Sequence, residues 1–394
     1  MLLIHLLLIA FFLFGHVAVW TAVRNRAHGF WIPRRWKKLV DGPQVLATIA
    51  LPLWLAGKLW NDPAAIYEPQ RFWDGLIVPY AALCGMFGLW VTIHWLRRSV
   101  FSPPLANLLS NHTERVDVAA HLGSPPMQGL RTRIYSAIPG NRLFDLCIQE
   151  KVLHVPRLPA PFDGLTIAHL SDLHFCGNIT RPYFDYLIDR TNEFNAELIA
   201  ITGDILERES CYPWLPMTLG RLQASCGVYF VLGNHDKQLE DVAYLRRQLV
   251  ELGLFDLGRE AKIATVRGQP VMLAGNELPW FGPPPELPQT SNRDRLLRIL
   301  LSHSPDQLSW ARERDFDLML AGHTHGGQIR FPVIGPVVCP SVYGVKYASG
   351  LFYESPTLMH VSRGISGEDS LRINCPPELS KLILRAPSGK QKGN

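Results

Sequence analysis

The sequence predicts a layered α/β domain behind a helical region built to cross a membrane. Three observations carry this reading. The first hundred of the 394 residues are strongly apolar. From Gly164 onward, short β-rich runs alternate with amphipathic helical stretches. One after another, those β runs end in Asp, His and Asn residues.

Residues 2–23 carry no charged side chain, and a helix needs about 20 residues to cross a hydrocarbon core. Further apolar stretches cover about residues 45–60 and 75–96, the former interrupted by Pro52 and ended by Lys58, which must snorkel. Of the eleven tryptophans, eight (20, 31, 36, 54, 60, 73, 90 and 95) lie in this region, mostly near the ends of the stretches, as an interfacial aromatic belt requires. Arg24, Arg26, Arg34, Arg35, Lys37 and Lys38 follow the first stretch, and Arg97 and Arg98 follow the third. Three spans put both basic clusters on the cytoplasmic side, with the N-terminus outside. The expectation is a multi-pass inner (plasma) membrane protein, bilayer-anchored through residues 1–98, with its larger domain in the cytoplasm. A cleaved signal peptide is disfavoured by the missing basic n-region. An interfacial second stretch would reverse the orientation.

The net charge of +5 comes without a basic stripe interleaved with aromatics, so no nucleic-acid partner is expected. Seven widely spaced cysteines, odd in number and without a CxxC pair, argue against a disulfide framework or a cysteine zinc site. Residues 99–160 read as a connecting segment, with a strand-like run at 146–155 before a Pro-rich hinge at 156–161. The second domain is expected over 161–387, and the polar tail 388–394 reads as disordered.

Five motifs close the β runs of this domain: Ser171-Asp172-Leu173-His174, Thr202-Gly203-Asp204, Gly233-Asn234-His235-Asp236, Ser302-His303-Ser304 and Gly322-His323-Thr324-His325-Gly326-Gly327. Loops at strand ends converge on one rim in layered α/β proteins, where binding groups gather. Two metal ions sharing a site need several nitrogen and oxygen ligands and a carboxylate to bridge them. Asp172, His174, Asp204, Asn234, His303, His323 and His325 supply such a set, with Asp204 as the bridge. His235, next to Asn234, is expected to face the opposite way and act as general acid, a task suited to a pKa near neutrality. Asp236 is its expected orienting acceptor. His169 and His360, inside β runs, read as core histidines.

On these residues the chain resembles the calcineurin-like metallophosphoesterase superfamily, over roughly residues 163–386. The segments 322–328, 340–350 and 362–364 are similar to a bacterial, membrane-anchored branch. The resemblance implies a four-layer αββα sandwich, the ligand roles above, and two divalent metal ions, Mn²⁺ foremost, with Fe or Zn²⁺ as alternatives. One membrane-linked type of relative hydrolyses UDP-diacylglucosamine. One departure stands out: after the run 271–275 comes Asn276-Glu277-Leu278-Pro279-Trp280-Phe281, where an Asp-containing turn is expected.

The expected function is therefore a binuclear-metal phosphoester hydrolase acting at the membrane, a phosphodiesterase or pyrophosphatase on a lipid-linked phosphate. A broad-specificity enzyme on soluble substrates and a non-catalytic metal-binding membrane protein stay open as alternatives. A transporter would need more spans and more intramembrane polar groups. Trp280 and Phe281 read either as an apolar lip for acyl chains or as a loop packed on its own domain. Arg330, Lys346 and Arg363 are candidate phosphate contacts. The sequence leaves the oligomeric state open.

Overall fold

A helix apolar on every side needs an apolar surround rather than a single packing partner. In the computed structural model, which describes residues 2–30, 32–73, 75, 77–100, 105–289, 296–367 and 369–387, three long helices carry apolar segments of this kind: Leu2–Gly29, Arg34–Asn61 and Ile77–Val100. Each contains a segment long and apolar enough to cross a membrane. Pro43 and Pro52 lie inside the second without ending it, as membrane-type helices tolerate. Leu3, Leu7, Leu46 and Met86 point outward. The first and third helices approach closely where both backbones are bare: a Cβ on Gly88 would stand 3.2 Å from Cα of Gly15. A polar pair joins these helices, His16 Nδ1 lying 2.6 Å from the Tyr80 hydroxyl.

The chain divides into two compact units, residues 1–103 and 104–394. The second is built on two larger sheets. Its first seven strands are β1 (Leu108–Asp117), β2 (Asp145–His154), β3 (Thr166–Leu170), β4 (Leu198–Thr202), β5 (Val228–Val231), β6 (Phe255–Asp256) and β7 (Ala261–Val266). Next come β8 (Gln269–Asn276), β9 (Leu297–Ser302), β10 (Leu318–Ala321) and the two-residue strands β11 (Arg330–Phe331) and β12 (Gly335–Pro336). Last are β13 (Gly350–Glu354), β14 (Thr357–Val361) and β15 (Glu378–Arg385). One sheet runs β1-β2-β15-β3-β4-β5-β6, the other β13-β14-β10-β9-β8-β7, and β11 and β12 pair as a separate hairpin.

Alternation along the strands builds the layers. Ile167, Leu198, Val231, Leu382 and Leu384 face Leu273, Ile299, Leu301, Leu318 and Leu358 in one buried core between the two sheets. The intervening residues, Ala168, Leu170, Ile199, Ile201 and Phe230, pack on the other side against helices Arg181–Glu193 and Val242–Glu251. Leu300, Met319 and Met359 likewise cover helix Leu308–Glu313. Helix, sheet, sheet, helix is the four-layer sandwich that the family resemblance implies. The segment read as a connection supplies β1 and β2, and β2 pairs in parallel with β15. All seven cysteines are free. The tail 388–394 lies outside the described residues.

Candidate metal centre

Parallel strands β3, β4 and β5 of one sheet, and β9 and β10 of the other, each end in a loop that carries a motif residue. Asp172 (φ 55°), His174 (44°), Asp204 (53°), His323 (68°) and His325 (49°) all adopt left-handed backbone. Non-glycine residues avoid that region, and strained positions of this sort gather at functional sites. Two glycines let the loops close. Gly203 sits at φ 87° with His303 against it, and a Cβ on Gly233 would fall 2.7 Å from the Asp204 backbone nitrogen.

The seven predicted metal-site residues come together. Asp172, His174, Asp204 and His325 form one group of donors, and Asp204, His303 and His323 a second, the atoms of each lying within 4.8 Å of one another. Asp204 belongs to both. Its Oδ2 lies 3.5 Å from His174 Nε2 and 3.1 Å from His303 Nε2. Asn234 joins the second group, with its Oδ1 3.2 Å from His303 Nε2.

Outer contacts fix the rings. His174 Nδ1–H donates to Glu207 Oε2 at 2.8 Å, and His303 Nδ1–H donates to the Thr202 carbonyl at 2.6 Å, so both present Nε2 to the centre. Ser171 Oγ–H donates to Asp172 Oδ2 at 2.6 Å. Trp280, almost wholly buried, lays its ring against His323 and His303 at centroid distances of 4.7 and 5.2 Å.

Charge follows the same pattern. Burial alone would raise the Asp204 carboxyl, but His303, His235 and His174 hold it well below its usual range. Burial alone would lower His303, yet Asp204 above all lifts it to about 9. Burial keeps His323 and His325 neutral, with a lone pair to offer.

His235 Nδ1–H donates to Glu207 Oε1 at 3.0 Å. Asp236, expected in that orienting place, is instead turned the other way. It accepts from the backbone N–H groups of Ile205, Leu206 and Gly233, at 2.9, 2.9 and 2.8 Å. Burial and the charge of Asp204 push its carboxyl up to about 7. The reason is local: neighbours in a tight turn point to opposite sides, so adjacency in sequence separated Asp236 from the His235 ring. Glu207 was missed. Its only signal is an acid three residues beyond Gly203-Asp204, and both its oxygens are taken by ring N–H groups.

Trp280 and Phe281 form no exposed lip. Trp280 backs the histidines, and Phe281 lies under Lys237 and Arg246. Glu277 is buried and paired with Arg246 at 2.6 Å. Of the candidate phosphate contacts, Arg363 is held by Glu378 at 2.7 Å, Lys346 by Glu354 at 2.8 Å, and Arg330 donates to Ser349 Oγ at 3.0 Å. His169 and His360 are core residues, with their Nδ1 atoms 2.8 Å apart.

The sequence pattern of the calcineurin-like phosphoesterase family matches residues 165–327, the stretch that holds all these motifs. An uncharacterized metallophosphoesterase of Bacillus subtilis, YkuE, is 31% identical over 246 residues, covering 60% of this chain and 85% of the relative. The chain belongs to the calcineurin-like metallophosphoesterase family. Phosphodiesterase YaeI of Escherichia coli is 29% identical over 232 residues, 57% of this chain and 83% of the relative. A Danio rerio transmembrane protein with metallophosphoesterase domain is 26% identical over 383 residues, covering 85% of this chain and 86% of the relative. That share of the chain is larger than the second unit, so the likeness reaches into the apolar helices. As a member of this family the protein is a phosphoester hydrolase.

The donor set fits divalent cations. Two carboxylates, an amide and four imidazoles suit Mn²⁺, Fe or Zn²⁺ chemistry. One buried atom of the set, His323 Nε2, makes no hydrogen bond. Buried polar atoms are rarely left so unless an ion or water completes them.

Proposed function

We propose that the protein is a binuclear-metal phosphodiesterase or pyrophosphatase working on a lipid-linked phosphate at the cytoplasmic face of the plasma membrane. The observation that carries the catalytic part is the buried Asp204 carboxylate, common to both donor groups, with its Oδ2 between His174 Nε2 and His303 Nε2. Asp172, His174, Asp204 and His325 would hold one cation, and Asp204, Asn234, His303 and His323 the other. When bound, two divalent cations, Mn²⁺ foremost, supply Lewis acidity that polarises the phosphoryl group and makes water nucleophilic near neutral pH.

His235 is the general acid. Glu207 keeps the proton of Nδ1 in place, so Nε2 is the nitrogen that passes a proton to the leaving oxygen as its bond to phosphorus breaks. Trp280 excludes water from the back of His303 and His323, which strengthens every charge interaction there.

Support for the membrane side comes from the three apolar helices and from the basic residues at positions 24–38 and 97–98, which favour a cytoplasmic catalytic unit. A soluble substrate gives an enzyme little reason to carry three spans, whereas a lipid-linked phosphate lies in the bilayer plane.

The test is hydrolysis of UDP-diacylglucosamine by detergent-purified protein with Mn²⁺, beside an activated aryl phosphodiester and an Asp204→Asn blank. UMP and a lipid monophosphate are the expected products, absent from the blank. Cleavage of the aryl ester alone would discard the lipid substrate. Silence on both would leave a non-catalytic metal-binding protein. His235→Ala should keep its metal and lose turnover, least on the activated ester.

A further inference from the structure

The second unit carries an apolar surface that neither its core nor its candidate metal centre uses. The hairpin formed by β11 and β12 exposes Phe331, Val333 and Ile334, and helix Leu130–Ser136 exposes Leu130 and Ile134. The two pieces belong to one surface, because Ile373 runs between them. Its backbone bridges Ile329 on one side and Asn141 on the other, and Asn141 Nδ2–H donates to the Tyr135 carbonyl at the end of the helix.

Val333 and Leu130 are 84% and 75% exposed. Val333 also sits at φ 66° in the hairpin turn, a conformation that β-branched residues avoid and that Gly, Asn or Asp would adopt at little cost. An apolar residue is kept there against both solvent and backbone preference. Contiguous exposed apolar patches of this kind mark interaction sites.

Three features indicate what covers the patch. Its cations are Arg131, Arg133 and Arg330, while residues 122–141 and 327–343 contain no acid; Asp369, paired with Arg131 at 2.6 Å, is the acid described beside them. Apolar side chains edged by arginines suit an anionic lipid interface. Covalent reach is the second feature. Only residues 101–107 separate helix Ile77–Val100 from β1, a stretch that can extend no more than roughly 25 Å. A bilayer crossed by that helix would therefore hold the start of β1 on a tether of that length. Continuity is the third, since the hairpin follows within three residues of the turn His325–Gly327, which carries a candidate ligand.

We infer that the β11–β12 hairpin and helix Leu130–Ser136 form a docking surface that seats the catalytic unit on an anionic lipid bilayer. Val333 and its neighbours enter the headgroup–acyl boundary, and Arg131 and Arg133 contact lipid phosphates. The inference holds whatever the substrate is, and it rests on the membrane reading of the three helices.

The test uses the full chain in nanodiscs containing phosphatidylglycerol, one copy per disc. Val333→Cys carries an environment-sensitive fluorophore in a Cys226→Ser background, the other six cysteines being buried. Incorporation into discs is scored first, so failure of the anchor is seen separately from failure of the docking surface. The expected result is a blue-shifted emission quenched roughly twofold by lipids bearing a nitroxide high on the acyl chain. Arg131→Gln with Arg133→Gln should weaken that quenching. A fluorophore reached by aqueous iodide and untouched by nitroxide lipids would overturn the inference. So would shielding that appears only with two copies per disc, which would assign the surface to self-association.

Discussion

Glu207 Oε1 accepts the Nδ1 proton of His235 at 3.0 Å, while Oε2 of the same carboxylate accepts that of His174 at 2.8 Å. One carboxylate thus orients a proposed metal ligand and the proposed acid together. Burial opposes its charge, and the two histidines hold it well below the usual carboxylate range.

Glu207→Gln should therefore have two separable effects. Metal affinity should fall about 10-fold through His174, as expected for a lost outer partner. Turnover at saturating Mn²⁺ should still fall about 100-fold through His235. Metal titrations of kcat separate the two. Full recovery of kcat in excess metal would mean that Glu207 does not serve the acid.

Asp236→Ala should act on stability instead. Three backbone N–H groups, those of Ile205, Leu206 and Gly233, would lose their acceptor inside the protein. A loss of at least about 2 kcal/mol is expected, measured as a lower Tm by tryptophan fluorescence. Unchanged Tm with lost turnover would return Asp236 to the acid's service.

Gly233→Ala tests how tightly the loops close. The new Cβ would fall on the Asp204 carboxylate and 2.7 Å from His303 Cδ2. Both groups must then move, so metal content in the purified protein, read by atomic emission, should drop by about 10-fold or more. Normal metal content would show that the centre tolerates a looser approach.

Stability should depend on pH through a second buried network. Lys151 Nζ bonds Glu378 at 2.6 Å and lies 2.7 Å from His360 Nε2. Burial and then Lys151 lower His360 from 6.5 to about 4. Between those values the unfolded chain binds a proton that the folded one does not, so stability rises with pH across the window. The contribution is complete above about pH 6.5 and falls by up to about 3 kcal/mol on acidification to about pH 4. Glu378 is held well below its usual range by Lys151 and Arg363 against the effect of burial, so its contribution is lost at still lower pH. The Tm of the detergent-purified protein should fall from pH 7 to 4, and His360→Asn should flatten that slope. An equal slope in the variant would refute the assignment.

The proposed ligands were legible because each sits at the end of a β run in a short motif, where strand periodicity alone sets its place. The four layers were not readable from periodicity, which gives alternation along a strand but not the order of strands across a sheet. β1 shows why: Leu108–Asp117 is an exposed edge whose polar residues carry no core pattern. Glu207 was hidden for a related reason. Its partners lie 33 and 28 positions away along the chain, and only the folded loops bring them within hydrogen-bond reach.

The central position of β15 has a consequence for biosynthesis. Glu378–Arg385 fills the gap between β2 and β3, pairing with both, and its Glu378 neutralises Lys151 and Arg363. Every proposed ligand is translated before this strand, and so are the apolar helices. In synthesis the growing chain therefore exposes its apolar helices first and receives the strand that joins β2 to β3 last. Until β15 is made, β2 and β3 lack the strand they share, and Lys151 and Arg363 lack the carboxylate that Glu378 offers them, so the main sheet closes only after the apolar helices have been synthesised.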